Sequence, residues 1–173
     1  MSAVGERNNY GLTVSDRYDI LTSYRTIAMV GLSSNFYNAS SFAAIYLDAN
    51  GYDIVPINPA QAGREILGRT VYANLHEAAA GHNRSIEIVD VFRPAREVPE
   101  IAQQTSEIGA KVLWMQLGVV NEEAAEMARK AGLAVVMDRC CKIEHARFFG
   151  GLRTIGLNTG LVTSRLAVPL AKG

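Results

Sequence analysis

Two hydrophobic periods alternate along the chain. Thr26-Ile27-Ala28-Met29-Val30-Gly31 is a continuous apolar run closed by glycine, the pattern of a strand buried on both faces. Phe42, Ala43, Ile45, Tyr46, Leu47 and Ala49 then fall at helical spacing, with Ser40 and Ser41 as N-cap candidates and Gly51 as the stop. Asp53–Ile57 reads as a second strand, ending in the turn Asn58-Pro59. Strand, helix and strand within about 32 residues make one βαβ unit.

The alternation continues. Arg69–Tyr72 is a possible short extended piece, and Asn74 is placed to cap a brief helix over 75–80. Ile86–Phe92, Lys111–Gly118 and Leu133–Asp138 predict three further strands, and the helix between the first two starts around Pro99, where proline is tolerated. Asn121 caps the next helix, with Glu122 and Glu123 in its first turn and Arg129 and Lys130 in its last, a charge order that complements the macrodipole. A helix over about 16–24 precedes the first strand. Five apolar strands alternating with helices predict an α/β fold, a doubly wound, Rossmann-like parallel sheet of order 3-2-1-4-5 with helices on both faces. The segment 148–173, with glycines at 150, 151, 156, 160 and 173, reads as a loose tail or a partner-contacting arm that makes a homodimer possible.

Composition narrows the function classes. At 173 residues the chain fits a single domain. Seventeen Lys and Arg balance seventeen Asp and Glu, which removes the electrostatic argument for nucleic-acid or membrane-surface binding. No run approaches the ~18 apolar residues of a membrane span, and residues 1–25 lack a signal-peptide core. The two cysteines, Cys140 and Cys141, are adjacent and offer no disulfide framework. A cytoplasmic protein is expected.

In such a sheet ligands bind beyond the carboxyl ends of the strands, at the switch point, placed here between the first and fourth strands. The first loop, Gly31-Leu32-Ser33-Ser34-Asn35, is not GxGxxG, because Ser33 and Phe36 stand where the later glycines belong. Ser33, Ser34, Asn38, Ser40 and Ser41 can offer hydroxyl, amide and backbone donors to a pyrophosphate, or serve only as turn and cap residues. The second strand ends in Asn58-Pro59 without the acid of a standard NAD site, while Asp53 sits at the wrong end. Arg64 and Arg69 follow as surface groups or ribose-phosphate contacts. Phe92, Arg93 and Pro94 offer an adenine wall and a cation, and Gln116 is a polar residue in an apolar strand that requires a hydrogen-bond partner. Cys140, Cys141 and His145 lack the spacing of a zinc site, so no metal is expected. No nucleophile–base pair falls at the strand ends, so catalysis by this chain alone is not expected.

Several segments resemble a known family, the small single-domain CoA-binding proteins, whose Rossmann-like domain also occurs in the α subunit of succinyl-CoA synthetase. The resemblance covers about 24–147. It is carried by Val30–Asn35, Gly51-Tyr52, Val55–Pro59, Ile66–Gly68, Val89–Arg93, Leu113–Ala124, Val136–Cys140 and Lys142–His145. It implies coenzyme A or an acyl-CoA held across the strand-end crevice by a stand-alone binding module. Phosphates would lie near Gly31, Ser33, Ser34, Asn35, Asn38 and Ser40, and adenine near Phe92–Pro94, with Asn58, Pro59, Gln116 and Gly118 lining the cleft. Family members commonly carry Pro-Xaa-Arg-Pro-Ser where this chain has Phe36-Tyr37-Asn38-Ala39-Ser40. Asn38 thus replaces a cation whose bond to phosphate is worth roughly 1.5 to 3 kcal/mol. The alternatives are an NAD(P)- or other nucleotide-binding protein, or an acyl-CoA-processing enzyme using Cys140 and His145.

Overall fold

The computed structural model describes residues 12–150. Its main sheet is parallel and contains β1 (Thr26–Val30), β2 (Asp53–Ile57), β5 (Ile88–Val91), β6 (Val112–Met115) and β7 (Ala134–Val136). A small antiparallel hairpin, β3 (Glu65–Ile66) and β4 (Arg69–Thr70), follows β2. The helices are α1 (Val14–Ser23), α2 (Ala39–Ala49), α3 (Leu75–Gly81), α4 (Val98–Glu107), α5 (Glu122–Lys130) and α6 (Cys141–Phe149).

The strand order is β2-β1-β5-β6-β7, so the expected order 3-2-1-4-5 is corrected. The strand expected outside β2 instead pairs with β1, in register Ile27↔Ile88 through Val30↔Val91. Every residue of β5 is buried, as suits a central strand of a parallel sheet covered on both faces. The place outside β2 falls to Tyr72, through a single parallel bridge to Ile57. Tyr72 N–H donates to the Pro56 carbonyl, and Asn58 N–H donates to the Tyr72 carbonyl, both at 2.9 Å. Pro56 has no N–H to give and is at home on a sheet edge. Counted as a strand, that bridge restores the doubly wound order of six. The switch point lies between β1 and β5.

Alternation along the strands divides the core into two layers. Val30, Val55, Val91, Leu113 and Met115 face α3, α4 and α5, whose contact faces include Leu75, Val98, Ala102, Ala124 and Ala128. Ile27, Met29, Ile54, Ile88 and Trp114 face α1, α2 and α6, which bring Leu21, Ala44, Leu47, Cys141 and Phe148. Burying side chains of this size contributes on the order of 1.5–3 kcal/mol each. Helix α1 opens with a capping box between Thr13 and Asp16, and Asn121 caps α5 as its sequence predicts.

Helix α6 has no counterpart among the elements that the sequence predicts, and it overlaps the start of the expected tail at 148. It contains Cys141 to Phe149 and packs its polar side inward. Arg17 Nε of α1 donates to Glu144 Oε2 at 2.7 Å, and an Arg147 NH2 group reaches the same oxygen at 3.1 Å. All three side chains are almost completely buried. A helix that buries Glu144, His145 and Arg147 shows no apolar stripe. Residues 151–173, including most of the expected arm, lie outside the described residues.

Candidate functional site

The first loop is wired to itself. Gly31 adopts φ +91°, a conformation that L side chains rarely take. A Cβ there would stand 2.8 Å from the Phe92 carbonyl oxygen and 2.9 Å from Arg93 Cδ. The end of β5 therefore lies directly against the loop. Ser33 N–H donates to Ser40 Oγ, Asn35 N–H to Ser33 Oγ, and Tyr37 N–H to Asn35 Oδ1. Ser41 Oγ–H is shared between the carbonyls of Ser33 and Asn35, at 2.6 and 2.8 Å. The end of β2 closes the other side. Asn58 Nδ2 donates to the Leu32 carbonyl at 2.9 Å, and Gln61 exchanges two hydrogen bonds with Ser34.

These bonds occupy several of the expected donors. The amides of Ser33, Ser34, Asn35, Tyr37 and Asn38 are all engaged within the protein. Asn38, rather than Ser40 or Ser41, is the N-cap of α2, and its side chain makes no capping bond. Ser40 and Ser41 sit in the first turn, buried, with their hydroxyls turned back to the loop. Among the described residues the amides of Ala39 and Ser40 have no hydrogen-bond partner. They open an eleven-residue helix with no acid in its first turn, an end that favours an anion.

The other expected residues separate into two groups. Asn58 and Pro59 join the first loop from the β2 side, while Phe92, Arg93 and Pro94 join it from the β5 side. Arg93 is held by Glu97 through two bonds of 2.7 and 3.1 Å, which orients the guanidinium and neutralises part of its charge. Gln116 lies past the end of β6 and is turned inward: its Nε2 donates to Asp90 Oδ1 at 2.6 Å. Gly118 N–H donates to Asp138 Oδ1 at 2.7 Å. Arg69 does not reach the strand-end crevice. It pairs with Asp48 and Asp53, and His82 also meets Asp53, at the amino end of β2.

Asp90 went unnoticed in the sequence because it lies within an apolar strand. It is fully buried, and its Oδ2 has no partner. Burial pushes the carboxyl up to about 7, against the opposing pull of the Gln116 amide. The same burial acts on the neighbouring thiols. Cys140 is the N-cap of α6, and burial raises its pKa, aided by the Asp90 charge. Cys141 is raised further, again chiefly by burial. Both sulfurs are therefore held as thiols, the unreactive form. His145 Nδ1 pairs with the Tyr46 hydroxyl at 3.0 Å, and burial lowers its pKa. Among the described residues no three His, Cys, Asp or Glu side chains are grouped to hold a metal ion. No described helix is long and apolar enough to cross a membrane.

Two structural features had no signal in the sequence. Lys142 of α6 places its Nζ 5.8 Å from the ring centroid of Phe42 in α2, which brings a cation beside the opening turns of that helix. A cleft of about 210 Å³ lies between the first loop, α2 and the β3–β4 hairpin, and Ser33, Phe36, Ile45, Ile66 and Leu67 are among its walls.

Comparison with known proteins places this geometry. Residues 25–146 match the family model described as a CoA binding domain. An uncharacterized protein of Bacillus subtilis (strain 168), YneT, is 38% identical over 128 residues, covering 74% of this chain and 90% of that one. A hypothetical protein from Pyrococcus horikoshii OT3 superimposes with a TM-score of 0.77 at 37% identity, over 87% of this chain and 100% of that one. A Thermus thermophilus structure, cell-free ID.343, gives 0.74 at 28% identity, over 80% and 100% of the two chains.

Proposed function

Since this chain belongs to the CoA-binding domain family, we propose that it binds coenzyme A or an acyl-CoA at the switch point, as a binding module without catalytic machinery of its own. The observation that carries this reading is the family match over 25–146, and the two unpartnered amides at the start of α2 supply its chemistry. The diphosphate sits at the N–H groups of Ala39 and Ser40, where the helix end carries partial positive charge. Gly31, Ser33, Ser34 and Asn35 shape the loop around it, while Asn58 and Pro59 brace that loop from β2. Adenine lies against Phe92 and Pro94 on the β5 side, with Arg93 near a phosphate. Gln116 and Gly118 form the floor and far rim. Lys142 supplies a cation from α6 that the Asn38 position does not.

The dinucleotide alternative is disfavoured at the end of β2. Asn58 spends its amide on Leu32 and its carbonyl on the Ala60 N–H, and the acid that grips ribose hydroxyls in NAD sites is absent there. Chemistry through Cys140 is disfavoured by the burial that holds its sulfur as a thiol, and His145 has its Nδ1 engaged with the Tyr46 hydroxyl.

Two variants test the site. Asn38→Arg is expected to tighten CoA binding by roughly tenfold or more, the effect of one charge-assisted bond to phosphate. Gly31→Val combines a clash at 2.8 Å with a φ of +91° and is expected to abolish binding, with its melting temperature recorded as the control for folding. Unchanged affinity in both variants places the ligand elsewhere.

A further inference from the structure

We infer that the amino end of the sheet carries a second small-molecule site, for a zwitterion of the amino-acid class that bears one ammonium and one carboxylate. It lies at the end of β2 opposite the switch point and does not rest on the CoA reading. A cleft of about 710 Å³ opens there between the hairpin, the end of α2 and the loop after α3. That volume falls within the roughly 300–1,000 Å³ of small-molecule sites.

Backbone pairing explains why the sheet leaves room. Tyr72 N–H donates to the Pro56 carbonyl, which begins a sixth parallel strand outside β2. Two places earlier, the Thr70 carbonyl would need an N–H from Pro56, and proline has none. The chain is instead drawn off into the hairpin, and among the described residues no strand pairs with β2 on that side at Asp53 and Ile54. Tyr72 shuts the far end of the cleft. A Cβ on Gly81 would stand 2.7 Å from its Cε1, so the bare backbone there lets the ring lie against the end of α3.

Charge is distributed unevenly across this cleft. One wall carries Asp48 and Asp53, both partly exposed. Arg69 stands between them, 2.6 Å from Asp48 Oδ1 and 3.8 Å from Asp53 Oδ1, and is braced by a bond of 3.1 Å to the Leu67 carbonyl. His82 Nε2 meets the other Asp53 oxygen at 2.9 Å. Two carboxylates against one guanidinium leave this wall with one negative charge when His82 is neutral. Asp48 Oδ2 has no partner among the described residues. The other wall carries Asn83 and Arg84, both exposed, and among the described residues neither side chain has a hydrogen-bond or ion-pair partner. An ammonium suits the first wall. A carboxylate suits the second, as a planar group that a guanidinium grips with two parallel bonds. A simple anion meets the acidic wall and a simple cation meets Arg84, so a ligand of one charge is penalised at the wall it does not match.

The test titrates the isotope-labelled protein with each of the twenty standard L-amino acids at millimolar concentration and follows the backbone amide shifts by NMR. Saturable shifts at Thr70, Asn83 and Arg84 are expected with at least one of them. The methyl ester and the N-acetyl derivative of that amino acid are each expected to bind roughly tenfold more weakly, having lost one charge-assisted contact. Arg84→Gln is expected to weaken the parent amino acid by a similar factor, to leave the methyl ester as weak as before, and to melt with wild type. Asp48→Asn gives the mirror pattern, weakening the parent and leaving the N-acetyl form unchanged. No saturable shift with any amino acid overturns the inference. So does binding that survives the blocking of either end, or that both variants leave intact. The titration is run without CoA, so a failure of CoA to bind leaves this site standing.

Discussion

Replacing Asp90 by asparagine tests the electrostatics beneath the switch point. The Asp90 carboxyl is fully buried in β5, accepts one bond from Gln116 at 2.6 Å, and leaves Oδ2 without a partner. Burial carries its pKa from 3.8 up to about 7, whereas in the unfolded chain it ionises near 4. Between about pH 4 and pH 7 the folded state therefore binds more protons than the unfolded state, and stability falls as pH rises through that window. At roughly 1.4 kcal/mol per pH unit, the loss comes to on the order of 4 kcal/mol once the folded group has ionised. The amide in Asp90→Asn cannot ionise and escapes that loss. Urea denaturation of both proteins at pH 5 and pH 8 is expected to show the variant gaining about 3 kcal/mol on wild type between the two pH values. His145 works in the opposite direction: its pKa is lowered on folding, so it costs stability on acidification. It is common to both proteins and cancels in the difference. A wild-type-to-variant gap that is the same at pH 5 and pH 8 refutes the reasoning.

Two further outcomes follow from the packing. Glu144→Ala leaves Arg17 and Arg147 buried without the carboxylate between them, and is expected to cost about 3–5 kcal/mol in chemical denaturation. A loss under 1 kcal/mol would mean that water reaches the α1–α6 interface. Cys141 is fully buried with its thiol held protonated. In the folded protein at pH 8 it is expected to resist a thiol-specific reagent, with Cys140 reacting first; equal rates would show that the start of α6 opens.

The helices and strands that were legible in the sequence bury mainly apolar residues, with isolated polar exceptions such as Arg17 in α1 and Asp90 in β5. β1, β5 and β6 announce themselves as continuous runs, and Asn74 and Asn121 cap α3 and α5 with side-chain oxygens as their positions predict. Helix α6 was hidden because its buried face carries Glu144, His145 and Arg147, which satisfy one another or residues of α1 and α2. The strand order was misread because the outermost strand has shrunk to the Tyr72 bridge, leaving Ile88–Val91 to be counted in its place. In the first loop the turn itself was readable, but the bonding of its hydroxyls and amides was not. Ser33 and Ser40 look like phosphate ligands in a sequence, and only the fold shows them bonded to each other. Asp90 gave no signal because a single acid in a strand becomes meaningful only when its burial is known.

The most direct measurement of the central claim is a calorimetric competition series on wild type with CoA, dephospho-CoA, NAD and ATP. Saturable one-to-one binding of CoA, tighter than NAD and ATP and accompanied by a melting temperature that climbs with CoA concentration, is the predicted result. No heat and no thermal shift with CoA at millimolar concentration, or a preference for NAD, contradicts the account.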